Sequence, residues 1–177
     1  LERERNLSRS EFMELLQGRN EASAENLFGR ARRLRERYYG RDVYIRGLIE
    51  FTNCCKNDCY YCGIRASNGK IGRYRLTPEE ILACCREGYE LGYRTFVLQG
   101  GEDAGFSSEM IASLVEAIKK NHPDCAVTLS VGEHSREIYR RWFDAGADRY
   151  LLRHETADDD HYRSLHPASC SPENRKR

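Results

Sequence analysis

The sequence predicts an α/β fold in which parallel strands alternate with helices after a helical lead. Three observations indicate this. Short apolar runs alternate with segments of helical periodicity, capping motifs mark helix starts, and a polar cluster follows each predicted strand. Strands separated by helices favour parallel pairing with right-handed crossovers. About four such units make a partial (β/α) barrel, because a complete eight-unit barrel takes on the order of 200 residues or more.

The N-terminal lead, residues 1–40, is predicted to be helical. Ser8 and Glu11 form a capping box, so a helix is expected to begin near residue 9. Apolar residues recur at helical spacing over 21–38, which predicts a second helix. We assign the remainder, residues 41–177, to the N-terminal half of a barrel.

Four strands are predicted in this remainder. They are Val43–Phe51, Thr95–Gln99, Cys125–Val131 and Arg149–Arg153. A crossover helix begins after Thr77, which forms a capping box with Glu80 and has a proline at the first helical position. Two further helical segments lie between the later strands, and the run of aspartates at 158–160 is typical of a solvated helix start.

Polar groups follow each predicted strand, and this placement predicts one shared site. In (β/α) barrels the loops after the strands converge on one rim, where catalytic groups collect. The residues expected there are the cysteine loop after the first strand, Gly100, Gly101 and Glu102 after the second, Thr128 and Ser130 near the end of the third, and Arg153 and Glu155 after the fourth.

The cysteine loop is the most informative feature of the chain. Cys55, Cys59 and Cys62 have C-x3-C-x2-C spacing. Three thiolates on one short loop can bind three irons of a [4Fe-4S] cube and leave the fourth iron without a protein ligand. The spacing resembles that of the radical SAM superfamily, in which that iron binds S-adenosylmethionine (SAM).

The cysteines could also belong to a different cluster register, a zinc site, a disulfide framework or a metal-binding module without turnover. Cys54 offers a second register, C-x4-C-x2-C, but Cys55 gives the spacing that matches the superfamily. Zinc requires four ligands, and only Cys54 lies nearby in sequence, the nearest histidine being His122. A disulfide framework suits a short secreted chain, and no apolar signal segment opens this one. A three-cysteine metal-binding module without turnover is the alternative from a different functional class.

Composition favours a cytoplasmic protein. Of its residues 40% are hydrophobic, and the formal net charge is +1, which gives no reason to expect nucleic acid or an anionic membrane as partner. No apolar run approaches the length of a bilayer span. The remaining cysteines, Cys84, Cys85, Cys125 and Cys170, are interpreted as small core residues or ordinary thiols.

A more specific resemblance rests on several segments in one order. Together with the cysteine loop, the segments 73–81, 97–103, 127–133, 146–156 and 173–175 resemble HydE, the family of radical SAM maturases of [FeFe]-hydrogenase. The resemblance implies a radical SAM TIM-type barrel, of which we expect this chain to be a truncated part. Within the same enzyme class, methylornithine synthase and biotin synthase are the alternatives, and the segment 151–156 favours the maturase.

The resemblance also implies roles for individual residues. Cys55, Cys59 and Cys62 would bind the cluster. Three of the residues implied to contact SAM have a stated partner: Tyr61 would lie beside the adenine, Glu155 would accept from polar groups such as the ribose hydroxyls, and Arg175 would bind the carboxylate. The other implied SAM contacts are Gly100, Gly101, Glu102, Thr128 and Arg153. Ser130 is the expected substrate contact.

The function implied is reductive cleavage of SAM to a 5'-deoxyadenosyl radical during assembly of the hydrogenase cofactor. The substrate would be a small organometallic or sulfur-bearing molecule, and the partners would be other hydrogenase maturation proteins and an electron donor. A chain with only half the barrel is expected not to be fully active alone, because the wall that excludes water from the radical is incomplete.

Overall fold

A computed structural model describes residues 6–176 and divides the chain into two compact units, with the boundary between Tyr44 and Ile45. The first unit contains helices α1 (Arg9–Gln17) and α2 (Glu21–Tyr39). Both helices begin at a capping box, the first between Ser8 and Glu11 as predicted.

The second unit alternates strands and helices. Its elements are β1 (Gly47–Thr52), α3 (Pro78–Glu90), β2 (Thr95–Gly100), α4 (Ser108–Asn121), β3 (Ala126–Ser130), α5 (Arg136–Asp144), β4 (Arg149–Tyr150), α6 (Asp159–Leu165) and α7 (Pro172–Lys176). The strands form one parallel sheet in the order β1-β2-β3-β4. The predicted α/β class and parallel pairing are therefore confirmed.

The two faces of the sheet differ in polarity because side chains alternate along each strand. One face packs against α3, α4 and α5 and contributes Ile49, Phe51, Phe96, Leu98, Val127 and Leu129 to the hydrophobic core. Residues between them on the same strands form the other face, which includes Glu50, Thr52, Gln99, Thr128 and Ser130. Burial of the apolar face against the helices thus determines that the polar side chains of the strands lie on the opposite face of the sheet.

The two outer strands are shorter than predicted. β1 begins at Gly47, not Val43, because pairing with β2 starts between Gly47 and Phe96. Val43 is 81% exposed, so its apolar character is not used in the core. β4 ends at Tyr150, not Arg153, because only Arg149 and Tyr150 pair with β3. The segment that follows is therefore free to take a loop conformation.

Candidate cluster and cofactor site

The cysteine loop leaves the carboxyl end of β1 and lies against the loop that follows β2. Its backbone is tied to two other segments. The Lys56 amide donates to the Glu102 carbonyl at 2.9 Å, and the Tyr60 amide donates to the carbonyl of Leu165 at the end of α6, also at 2.9 Å. The loop that carries the cysteines is thus held between β2 and α6, as convergence on the carboxyl rim predicts.

Gly101 permits the closest of these contacts. A Cβ atom at position 101 would lie 2.2 Å from the Cys54 carbonyl oxygen and 2.6 Å from the Cβ of Cys55. A Cβ at Gly100 would lie 2.6 Å from the Thr52 methyl group. Gly101 is therefore required by the close packing of the cysteine loop, and Gly100 by the close approach of Thr52 at the end of β1, independently of any contact to a cofactor.

Arg73 binds the loop from its other side through four backbone carbonyl groups. Nη1 donates to the carbonyls of Asn53 at 2.6 Å and Ile64 at 2.9 Å. Nη2 donates to those of Arg65 at 2.6 Å and Asn68 at 3.2 Å. Because a guanidinium has several donors in a fixed plane, one side chain can satisfy a loop that has no regular secondary structure.

The three predicted cluster ligands lie together at partly buried positions. Burial, and then the neighbouring thiols of Cys170, Cys62 and Cys55, raise the pKa of Cys59 to about 11. This mutual repulsion is what converging thiolates experience without a cation, and metal binding relieves it. Cys54 is not among these neighbours, because its Sγ lies 3.8 Å from the Tyr74 carbonyl oxygen.

The chemistry of the donor set fits an iron-sulfur cluster. Among residues 6–176 no three His, Cys, Asp or Glu side chains are arranged to hold one metal ion. The cysteines of a cube each bind a different iron, so their sulfur atoms need not converge on one point. Three soft thiolates on one loop are the ligands that an iron-sulfur cluster prefers.

A cleft of about 430 Å³ lies beside the cysteine loop. It brings together most of the predicted site residues, namely Cys55, Cys62, Gly100, Gly101, Glu102, Ser130, Arg153, Glu155 and Arg175. A larger cavity of about 990 Å³ lies between α5 and β4. No cysteine lines that cavity, so the smaller cleft is the one with the predicted chemistry.

Three predicted site residues do not line this cleft. Cys59 is partly buried and is not among the residues that line the cleft. Thr128 is only 6% exposed, within β3. Tyr61 points toward α6, where its hydroxyl oxygen lies 3.2 Å from Nε2 of His166. Burial and then the charge of Glu155 raise the pKa of Tyr61 above its ordinary value.

Two charged residues that line the cleft, Glu102 and Arg175, are paired within the protein. Lys56 Nζ lies 3.1 Å from a carboxylate oxygen of Glu102, whose side chain is 10% exposed. The other oxygen of Glu102 accepts from the Glu133 amide at 3.2 Å. Arg175 Nε lies 2.6 Å from Glu133 Oε1. Glu102 thus joins the cysteine loop to the loop after β3, which is a structural role that the sequence analysis did not assign.

Glu155 has an unusual backbone conformation at the rim of the cleft. Its φ is 65°, in the left-handed region, and it is the only non-glycine residue with positive φ among those described between 6 and 176. This conformation costs about 1–2 kcal/mol for an L-residue. The strain is located at a residue for which the sequence predicts a ligand contact, as is common at binding sites.

An ion pair joins the buried carboxylate of Asp103 to Arg75, whose side chain is 52% exposed. Arg75 donates to both carboxylate oxygens, at 2.7 and 2.8 Å, and the Thr52 hydroxyl donates to Asp103 at 2.7 Å. The Asp103 side chain is 3% exposed. Hydrogen bonding from Arg75 lowers the pKa of Asp103 to about 2. The pair connects β1, the loop after β2 and the segment that precedes α3.

Comparison with known proteins gives consistent similarities. Residues 49–177 match the radical SAM superfamily. The chain is 46% identical over 171 residues, 97% of its length, to the [FeFe] hydrogenase maturase subunit HydE of Thermotoga maritima. It is 31% identical over 161 residues, 90% of its length, to 3-methylornithine synthase of Methanosarcina acetivorans.

The fold comparison agrees. The structure of methylornithine synthase (PylB) superposes with a TM-score of 0.85 at 28% identity, covering 98% of this chain and 51% of that one. The two sequence relatives are covered to 48% and 45% of their length. The chain therefore spans about half the length of the relatives that it matches.

Gly101→Ala is expected to displace the cysteine loop. The new methyl group would meet backbone atoms that cannot rotate away, so we expect a destabilisation of about 1–3 kcal/mol and reduced iron incorporation. Urea unfolding and iron analysis after anaerobic reconstitution would measure both. Gly69→Ala is the matched control, because a Cβ there has no atom within 4 Å. Equal behaviour of the two variants would contradict the close contact.

Asp103→Asn is expected to lower stability at neutral pH. The pKa of Asp103 is about 2, below its ordinary 3.8, so its stabilisation is complete above about pH 4 and is lost as the pH falls toward 2. We expect a loss of roughly 1–2.5 kcal/mol at pH 7 and a weaker pH dependence between pH 4 and 2. Urea unfolding across this range would test it. Asp144→Asn, which alters an exposed pair with Arg140, should change stability by less than about 0.5 kcal/mol.

Proposed function

Because the chain belongs to the radical SAM superfamily, we propose that Cys55, Cys59 and Cys62 bind a [4Fe-4S] cluster and that the adjoining cleft binds SAM. The observation that carries the proposal is the position of the cysteine loop, which packs on Gly101 and borders a cleft lined by Cys55 and Cys62. Three protein ligands leave one iron of the cluster for a ligand from the cleft.

When bound, the cluster supplies an electron that reductively cleaves the sulfonium of SAM. The chain itself holds and orients the reactants. Arg175 can offer a planar pair of donors to a carboxylate, and Glu155 can accept hydrogen bonds from hydroxyl groups. Gly100 and Gly101 line the cleft without placing a side chain in it, and Ser130 is the proposed substrate contact.

We assign the finer function to hydrogenase maturation of the HydE type. Sequence identity of 46% to HydE, against 31% to 3-methylornithine synthase, favours this assignment. The proposed substrate is a small organometallic or sulfur-bearing molecule, and the proposed partners are other maturation proteins and an electron donor. Activation of [FeFe]-hydrogenase in an extract that lacks HydE, by this chain joined to the remaining half of Thermotoga maritima HydE, would support it.

A methylornithine synthase activity is the second candidate, because the structural match to that enzyme covers 98% of the chain. Formation of 3-methylornithine would favour this candidate over the maturase. A metal-binding module without turnover is the third candidate, and SAM cleavage assayed by release of 5'-deoxyadenosine would exclude it.

Among residues 6–176, none of the helices combines the length and the hydrophobicity that a transmembrane span requires.

Single Cys→Ser substitutions test the ligand assignment. The variants at Cys55, Cys59 and Cys62 are expected to lose the [4Fe-4S] signal in electron paramagnetic resonance after reconstitution, because each removes one of three ligands. Cys54→Ser is the matched control and should retain it, since the Cys54 sulfur faces the Tyr74 carbonyl. Loss at Cys54 with retention at Cys55 would show that the register is wrong.

Arg175→Ala tests the proposed SAM carboxylate contact. We expect SAM to bind the reduced cluster about 1.5–3 kcal/mol more weakly, because a charge-assisted hydrogen bond is lost. The SAM-dependent change in the cluster resonance would give the affinity. Arg140→Ala, at an exposed pair with Asp144, is the control. If Arg175→Ala binds SAM as tightly as the wild type, then in the wild type the Arg175 guanidinium stays paired with Glu133 and does not contact SAM.

A further inference from the structure

Tyr150 is a partly buried residue that contacts the β3 turn (residues 131–134) and that the sequence analysis did not assign. Its hydroxyl group donates to the Gly132 carbonyl oxygen at 2.6 Å. Its ring stacks on Trp142 with centroids 5.9 Å apart and meets Tyr139 edge to face with centroids 4.7 Å apart. Because both rings hold Tyr150 in place, its hydrogen bond restrains the turn.

Gly132 places the β3 turn directly against Glu102. Its φ of 94° lies in the left-handed region that favours glycine, and a Cβ atom at this position would overlap Cγ of Glu102. The carboxylate of Glu102 can therefore reach the turn, where it accepts from the Glu133 amide at 3.2 Å. The turn is thus held at two successive residues, at Gly132 by Tyr150 and at Glu133 by Glu102.

Glu133 connects the β3 turn to the cleft. Its Oε1 lies 2.6 Å from Nε of Arg175, which lines the cleft and is the proposed contact of the SAM carboxylate. This ion pair engages Nε, so the terminal nitrogens of the guanidinium can still bind a carboxylate in the plane that they share. The position of Arg175 at the cleft therefore depends on where the turn holds Glu133.

We propose that Tyr150 is a positioning residue for SAM binding, which restrains the β3 turn through Gly132 so that Glu133 keeps Arg175 at the cleft. The inference rests on the proposed function, in which Arg175 binds the SAM carboxylate. Tyr150 lines the larger cavity between α5 and β4, so it acts on the cleft through the turn and not by direct contact. Without its hydroxyl group the Gly132 carbonyl loses this donor, and the turn opens more often.

Hydrogen exchange of the Glu133 amide, measured by NMR in the chain without cluster or SAM, tests the restraint on the turn. Tyr150→Phe removes only the hydroxyl group, and we expect this amide to exchange roughly three- to tenfold faster because the turn opens more readily. Tyr89→Phe is the matched control, since Tyr89 also packs against the core and its hydroxyl group donates to Asp124 at 3.4 Å. The control should leave exchange of the Glu133 amide unchanged.

Two results of this experiment would overturn the proposal. One is a Glu133 amide that exchanges at the wild-type rate in Tyr150→Phe, even where amides of the core strands exchange faster, because Tyr150 would then support overall stability and not the turn. The other is a Glu133 amide that exchanges in the wild-type chain as fast as in an unprotected peptide. The second result decides the question even where the variant does not fold.

A double-mutant cycle on SAM affinity tests the link to Arg175. We expect Tyr150→Phe to bind SAM roughly three- to tenfold more weakly than the wild type, measured by the SAM-dependent change in the cluster resonance. When Arg175→Ala is already present, the same substitution should change the affinity by less than about twofold, because Tyr150 acts through Arg175. Tyr89→Phe should bind SAM like the wild type.

The outcomes of the cycle separate positioning from general stability. An equal loss of affinity with and without the Arg175 side chain would overturn the proposal, and so would wild-type affinity in Tyr150→Phe. A wild-type chain whose cluster does not respond to SAM would refute the proposed function instead. The hydrogen-exchange experiment would then still decide whether Tyr150 restrains the turn.

Discussion

The close approach of Gly101 to the backbone of Cys54 and Cys55 is the contact on which the site depends. No side chain fits between the end of β2 and the cysteine loop, so the loop takes its support directly from the sheet. Arg73 then satisfies carbonyl groups on the opposite side of the loop. The loop is therefore held in place by the sheet on one side and by Arg73 on the other.

The polarity of the sheet explains why a cleft forms beside this loop. The apolar face is covered by helices, and its burial supplies the main favourable free energy of this unit. The alternate residues on each strand are consequently directed to the opposite face, where polar side chains such as Glu50, Gln99 and Ser130 lie. The same alternation that builds the core thus lines the cleft with groups that can bind a polar ligand.

Ion pairs around the cleft connect loops that follow different strands. Glu102 joins the cysteine loop to the loop after β3, Asp103 joins β1 to the segment before α3, and Glu133 binds Arg175 of α7. Each of the last two pairs has one well-buried partner and one more exposed partner: Asp103 is 3% and Arg75 52% exposed, whereas Arg175 is 12% and Glu133 34% exposed. Because a buried charge is costly to leave unpaired, both pairs help to hold these loops in place.

The sequence by itself determined the kind and order of the elements, because their signals are local. A capping box, a run of apolar periodicity and the cysteine spacing are each defined by residues that are close together in the sequence. It also placed most site residues at one rim, since parallel strands carry their following loops to the same edge. The strand limits at Gly47 and Tyr150 were missed, because they depend on where a neighbouring strand begins and ends.

Only the tertiary structure decided what each residue contacts. Gly101 resembles an ordinary turn glycine until the cysteine loop is packed against it, and His166 lies 105 residues from the hydroxyl group that it binds. Arg73 is an ordinary charged residue in sequence, and its four carbonyl partners become visible only when the loop closes around it. Contacts between segments far apart in the chain depend on packing in three dimensions, and no local pattern of residues specifies them.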